Sequence, residues 1–284
     1  MRVVSLHADV LLATSAIWQT NCTIIRGRVE PDPDNPVRVR IAGEPDPVDE
    51  TFVIDSPVLP EELEALPALI DQAGFPAPSG LLATHADWDH LLARLAFPEA
   101  ALGCAASTAL RLNTEPGTAQ RELRAFDDGH YLARPAPLPL GSVQVLGVPG
   151  VCEIGAHELA LHPAEGHSSD GMAVWSPWSG VLAVGDYLSA VEIPVLGEGG
   201  SVGVYAATLE RLRALVAQAQ FVVPGHGPVL GSEQALALLE EDLIYLQALR
   251  SRGGESARLP EGRRSKAQSA IHAENVARAA AFGG

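Results

Sequence analysis

Near the start of the chain apolar residues come in short runs, Val10 to Ala13, Cys22 to Arg26, Val37 to Ile41 and Phe52 to Asp55, and such runs predict β-strands. The Asp- and Pro-rich pieces EPDPDNP and GEPDPVDE punctuate them as turns, so an antiparallel meander is expected. Helical spacing then takes over in EELEALPALIDQAG, whose leucines lead to a glycine stop before the strand-like GLLAT. A helical stretch around Gly117 to Phe126 precedes SVQVLGV, ELALH, MAVW and VLAVG, which alternate or run apolar as buried strands do. The helices Tyr205 to Ala217 and Glu233 to Ser251 bracket the strand FVVPG. Two β-rich halves with helices outside predict a layered α/β sandwich covered on both faces. Residues 1–250 read as one domain. The run SRGGESARLPEGRRSK then marks a loop before a short Ala-rich helix, Gln268 to Ala280, making residues 251–284 an accessory tail, read as a lid or an oligomer contact.

Composition narrows the partners. The 284 residues, 47% of them hydrophobic, suffice for one substantial core. With 19 basic against 35 acidic residues the formal charge is −16, which repels a phosphate backbone, so nucleic acid is not expected as a partner. A small anionic molecule stays open, because ions held by clustered acids would remove part of that charge locally. Cys22, Cys104 and Cys152 are odd in number and form no C-x-x-C pair, so neither a disulfide framework nor a thiolate zinc site is indicated and a reducing cytoplasm is expected. His7 and Asp9 interrupt the apolar opening MRVVSLHADVLLATSAIW, so no signal peptide is expected. No apolar run approaches the roughly 20 residues that span a bilayer, so no membrane is expected either.

Four apolar segments each run into a metal-competent side chain: GLLAT into His85, ELALHPAEG into His167, VLAVG into Asp186 and FVVPG into His226. A strand ending this way presents the residue at the sheet's rim, and Gly166, Gly185 and Gly225 are expected to allow the turns that aim it inward. The densest cluster is THADWDH, where alternation can set His85, Asp87 and Asp89 on one side of an extended loop before His90 opens a helix. Imidazoles with carboxylates suit zinc, iron or manganese, and the lack of thiolate argues against a closed structural zinc site.

His85, Asp89 and His90, followed by GH at His167, GD at Asp186 and GHG at His226, resemble in order and approximate spacing the H-x-H-x-D-H, His, Asp, His series of the metallo-β-lactamase superfamily, over about Val3 to Arg250. The resemblance implies a four-layer αββα sandwich and two divalent metal ions, zinc ahead of iron or manganese. One ion would take His85, Asp87 and His167, the other Asp89, His90 and His226, with Asp186 bridging. Asp87 departs from the family pattern, where most members carry histidine, and its carboxylate tilts the first site toward iron or manganese. Flavodiiron oxygen reductases and some DNA-uptake proteins of the superfamily are similar in this respect. Tyr187, beside Asp186, resembles a tyrosine that serves some related lactonases as an electrophile, with packing as the competing role. Trp88 either walls the pocket or is a buried indole, and Ser168 and Asp170 are expected to shape the loop of His167. His7, His130, His157, His162 and His272 stay outside the site.

The expected activity is metal-dependent hydrolysis of a small molecule. Water at such a site ionises near about pH 7 and attacks a carbonyl or phosphoryl centre, with Asp89 and Tyr187 as the catalytic side chains, Asp89 orienting the water or moving its proton. Ester, lactone, thioester, amide and phosphodiester bonds all fit. Antibiotic-hydrolysing members usually lack an aspartate at the bridging position and are exported, which separates them from this chain. No basic cluster suggests a glutathione site. Two other classes compete: an iron-dependent oxidoreductase, for which no flavodoxin-like domain follows, and a non-catalytic metal-binding module, against which the full ligand set argues. Substrate choice is expected to lie in loops such as Glu192 to Gly203 and in the tail, and a homodimer is compatible.

Overall fold

In strand β2 (Val10–Thr14) Val10 and Leu12 face one apolar cluster while Leu11 and Ala13 face another, as the two-residue period of a strand requires. The same division recurs at Val53 against Ile54 and at Leu81 against Leu82. A sheet with two apolar faces must be covered on both, and that requirement sets the architecture. The computed structural model describes residues 1–29, 48–251 and 257–282; the expected strand Val37 to Ile41 lies outside them.

The first sheet runs in spatial order β1 (Arg2–His7), β2, β3 (Asn21–Gly27), β4 (Glu50–Asp55), β5 (Gly80–Leu82), β6 (Ala101–Ala105), β7 (Gln144–Leu146). It is antiparallel from β1 to β4 and parallel from β4 to β7. Parallel neighbours need crossovers. These are α1 (Pro60–Gln72), α2 (Ala93–Ala96), and the pair α3 (Ala106–Thr114) and α4 (Thr118–His130), and Leu63, Leu66, Leu123 and Phe126 pack on the sheet's outer face. The expected meander is thus confined to the opening strands.

The second sheet has the order β12 (Phe221–Val223), β11 (Val181–Ala183), β10 (Met172–Ser176), β9 (His157–Pro163), β8 (Gly150–Ile154). Only β11 and β12 are parallel, and α5 (Val202–Gln218) crosses between them. The inner faces meet through residues such as Leu12, Ile54, Met172 and Val174. Outside the second sheet, Ala173, Leu182 and Val222 receive α5 and α6 (Ser232–Arg250), and α7 (Lys266–Phe282) adds Ile271 and Val276 to that cluster. The result is a four-layer αββα sandwich.

Strands β1, β6 and β8 and helix α3 were not predicted. β1 and β8 are sheet edges whose residues are mostly exposed or half-buried, so they carry little apolar alternation. β6 reads ALGCA and lacks the β-branched residues that mark a strand. Among the described residues no helix is long and apolar enough to cross a membrane.

Candidate metal centre

The segments that follow β4, β5, β9, β11 and β12 converge at one rim of the sandwich, and all seven residues singled out from the sequence meet there. His85, Asp87, His167 and Asp186 form one group and Asp89, His90 and His226 another, each with its donor atoms within 4.8 Å of one another. Trp88, Asp89 and His90 make a single 3-10 turn, which places the last two in the second group, the His90 ring still beside that of His85. Two glycines make the approach possible. A Cβ on Gly225 would lie 2.1 Å from Asp186 Oδ1, so this glycine supplies room rather than an unusual dihedral angle. Gly166 has φ +127 and its α-carbon lies against the backbone of Tyr205.

Asp186 stands between the groups. Its Oδ1 is 3.2 Å from His90 Nε2 and 3.5 Å from His226 Nε2, while its Oδ2 is 3.5 Å from His167 Nε2 and 3.7 Å from His85 Nε2. Asp89 Oδ2 lies 3.4 Å from His226 Nε2 and 3.7 Å from His90 Nε2.

All four imidazoles are turned the same way, Nδ1 outward and Nε2 into the centre. Nδ1 of His85 is 3.0 Å from Thr84 Oγ1, whose proton goes to Asp55. His90 Nδ1 is 3.0 Å from Asp55 Oδ2, and His167 Nδ1 is 2.8 Å from the Val195 carbonyl. His226 Nδ1 faces the Trp18 carbonyl at 3.3 Å. An outward Nδ1–H leaves the Nε2 lone pair free for a ligand, the usual device by which outer partners orient metal-binding histidines. The buried Nε2 atoms of His85 and His90 and Oδ1 of Asp186 make no hydrogen bond of good geometry, and the His90 Nδ1 contact with Asp55 is an ion-pair approach rather than an aligned hydrogen bond. Buried polar atoms are rarely left so, and oxygen and nitrogen donors in this number fit a pair of divalent ions.

Electrostatics agree. Burial opposes the imidazolium of His226, yet Asp186 outweighs it and the pKa rises to about 10. For His167 burial is likewise outweighed, here by the hydrogen bond to Asp87, and the value is about 9. Asp186 is held well below the usual carboxylate range despite burial, chiefly by His226 and His90. A cation is thus what this cluster of acids calls for, and protons on the histidines supply it when no metal does.

Asp87 is the most exposed of the seven and has a partner of its own. Its Oδ2 faces His167 Nε2 at 3.2 Å, while Oδ1 takes a hydrogen bond of 2.7 Å from Arg111 of α3. The same Arg111 nitrogen donates to Asp170 Oδ1 at 2.9 Å. Asp170 in turn accepts from the Ala86 backbone N–H and the Ser168 hydroxyl, so it fastens the His85 loop as well as its own.

Tyr187 does not take the expected place of an electrophile. It is 2% exposed, and its hydroxyl accepts from the His167 backbone N–H and donates to the Ala164 carbonyl, so it braces the loop that carries His167. Trp88 is buried against Trp18 and Phe126. A pocket beside Asp186 and His226 is walled instead by Glu192, Pro194, Val195 and Tyr205, and burial raises the carboxyl of Glu192. Sequence reasoning passed over Asp55, Thr84 and Arg111. Asp55 did carry a signal: the run FVID ends in an acid as the ligand-bearing runs do. Arg111 carried none.

Comparison with known proteins gives a consistent picture. The family described as the metallo-beta-lactamase superfamily matches residues 49–226. No curated protein sequence matches the chain. A metallo-beta-lactamase from Pontibacter korlensis is similar with TM-score 0.59 and 18% identity, over 87% of this chain and 98% of its own. A metallo-beta-lactamase family protein from Thermus thermophilus gives 0.63 and 19%, over 88% and 83%. The protein TTHA1623, solved in a di-iron-bound form, gives 0.54 and 21%, over 79% and 96%. At these identities the likeness concerns the fold.

Proposed function

The chain belongs to the metallo-β-lactamase superfamily, and from that premise we propose that it is a dinuclear metal-dependent hydrolase acting on an ester, lactone, thioester or phosphodiester of a small molecule. The observation that carries this reading is the division of Asp186, with one carboxylate oxygen toward His90 and His226 and the other toward His85 and His167. A carboxylate so divided would be shared by two ions. His85, Asp87 and His167 would hold one and Asp89, His90 and His226 the other, zinc ahead of iron or manganese for a donor set led by imidazole.

When bound, a divalent pair supplies water that ionises near about pH 7 and an electrophilic pull on the substrate oxygen. The chain's own residues do the rest. Asp89, its Oδ2 at the edge of the second group, orients the attacking water and takes its proton. Pro194 and Val195 give one side of the pocket an apolar lining. Glu192 also lines that side, where burial favours the neutral form of its carboxyl.

Metal analysis of protein purified without added metal should find one to two equivalents, and a panel of lactone, thioester and phosphodiester substrates should reveal turnover. Asp186→Ala is expected to lose metal and to cut turnover by at least ~10–100-fold while far-ultraviolet circular dichroism stays unchanged. A metal-free wild-type protein inert toward the whole panel would sink the proposal. A second reading, an iron-dependent oxidoreductase, is favoured only by the carboxylate at position 87 and by the di-iron form of a similar structure. Iron in the purified protein together with oxygen consumption would select it.

A further inference from the structure

The segment from Ser189 to Gly197 has neither helix nor strand, yet it is buried: Ile193 and Leu196 are 2% and 3% exposed. Buried backbone without secondary structure must find hydrogen-bond partners elsewhere. Here six such bonds come from the far end of the chain, beside bonds to the Ser189 hydroxyl and to His167. Arg263 donates to the Ser189 and Glu192 carbonyls at 3.2 and 2.8 Å. Gln268 Oε1 accepts from the Ile193 N–H at 2.8 Å. Asn275 uses both ends of its amide, donating to the Pro194 carbonyl at 2.6 Å and accepting from the Leu196 N–H at 2.9 Å. Arg278 donates to the Gly197 carbonyl at 3.0 Å.

Gln268, Asn275 and Arg278 share one face of α7, because intervals of seven and three residues bring side chains round to the same side. Asn275 is 0% exposed and also donates to the Tyr245 hydroxyl of α6, so the amide is fixed from behind. Asn275 grips Pro194 and Leu196; the carbonyl between them, Val195, receives Nδ1 of His167, and the Gly197 N–H returns to the His167 carbonyl. The chain of contacts therefore runs from α7 through the pocket wall to a histidine of the first metal group. Its other branch, through Arg263, fixes the backbone of Glu192.

We propose that the C-terminal segment is a strap that holds the pocket wall and sets the orientation of His167, with Asn275 as the positioning residue at its centre. The claim about His167 rests on the metal-centre reading above. Arg263 is unsuitable as a test, because it is also paired in the interior with Asp242 at 2.7 Å and its loss threatens folding. Asn275→Leu removes both grips, and Arg278→Ala is a milder change that leaves the Asn275 grip in place. In the full-length chain, hydrogen exchange is followed at the Ile193 and Leu196 amides, and zinc affinity is read for each equivalent by chelator competition.

The strap predicts that exchange in 189–197 quickens at least ~10-fold in Asn275→Leu, and that one zinc equivalent weakens ~10-fold while the other is unchanged, the range seen when an outer partner of a ligand is removed. Arg278→Ala should move both readouts the same way by less, and Arg278→Lys should restore them. Unchanged exchange and affinity in Asn275→Leu and Arg278→Ala would overturn the proposal. So would equal weakening of both equivalents alongside a lower melting temperature, since that marks a merely structural helix. A wild-type chain that takes up neither zinc, manganese nor iron would overturn the metal centre and the claim on His167 together, whereas normal wild-type uptake with unaltered variants overturns the strap alone.

Discussion

At position 87 the carboxylate is divided between two tasks, one oxygen toward His167 and the other held by Arg111. That changes what a histidine there would do. Taken by itself, replacing a carboxylate with imidazole removes a charge from the first site and favours zinc. With Arg111 in place, its charge already offsets that of Asp87, and Asp87→His leaves the guanidinium with Asp170 and Glu115 but one carboxylate fewer beside any bound cations. Asp87→His is therefore expected to bind the first metal equivalent more weakly, and Arg111→Gln added to it should recover part of the loss. A double-mutant cycle on metal affinity should return a coupling of about 1–3 kcal/mol between positions 87 and 111. Additive effects would show that Arg111 serves only Asp170.

Among the elements, the opening hairpin depends on a single buried acid. Asp9, in the turn from β1 to β2, accepts from Arg26 Nε and Nη2 at 2.9 and 2.7 Å and from Arg28 Nε, while its own carbonyl accepts the Arg26 N–H. These bonds tie the turn to the end of β3. Burial alone would raise the Asp9 carboxyl, but the hydrogen bonds from Arg28 and Arg26 outweigh it and lower the pKa. A carboxyl depressed in the folded state stabilises fully above its unfolded value, about 3.9, and that contribution disappears as pH falls through the folded value. Asp9→Asn should cost about 2 kcal/mol near pH 7, as expected when charged donors lose an ionised acceptor, and the gap to wild type should narrow below about pH 3.9. Denaturant unfolding at the two pH values measures this. A gap independent of pH would mean that packing, not charge, holds the turn.

At the scale of the whole molecule the centre joins the two halves of the sandwich, since His85 and His90 follow a strand of the first sheet and His167, Asp186 and His226 follow strands of the second. Ions bound there stabilise the assembled halves and not the open chain, in which the ligands are scattered. At metal concentrations about 1,000 times the dissociation constant one site adds about 4 kcal/mol, equivalent to a rise of about 10 °C in melting temperature. Protein stripped with a chelator should still fold, because protonated histidines and the acids pair without metal, and should melt lower by that margin. Identical melting curves with chelator and with zinc, manganese or iron would show that the cluster binds no ion in the folded state.

Chain order alone disclosed the segments whose histidines and aspartates cluster, because each is local: an apolar run that ends in a histidine or aspartate says both that a strand stops and what it presents. It disclosed the layered α/β arrangement for the same reason, since periodicity reports which face of a segment is buried. The edge strands β1 and β8 escaped because edges are too exposed to carry that periodicity. What surrounds the ligands was decided by folding. That Arg111 neutralises Asp87, that Tyr187 braces a loop instead of facing substrate, and that Asn275 grips the wall behind His167 all depend on side chains meeting across long stretches of sequence. No local pattern encodes such meetings; they follow from how helices α3 and α7 and the segments after β9 and β11 pack, and only packing determines which buried polar group finds which partner.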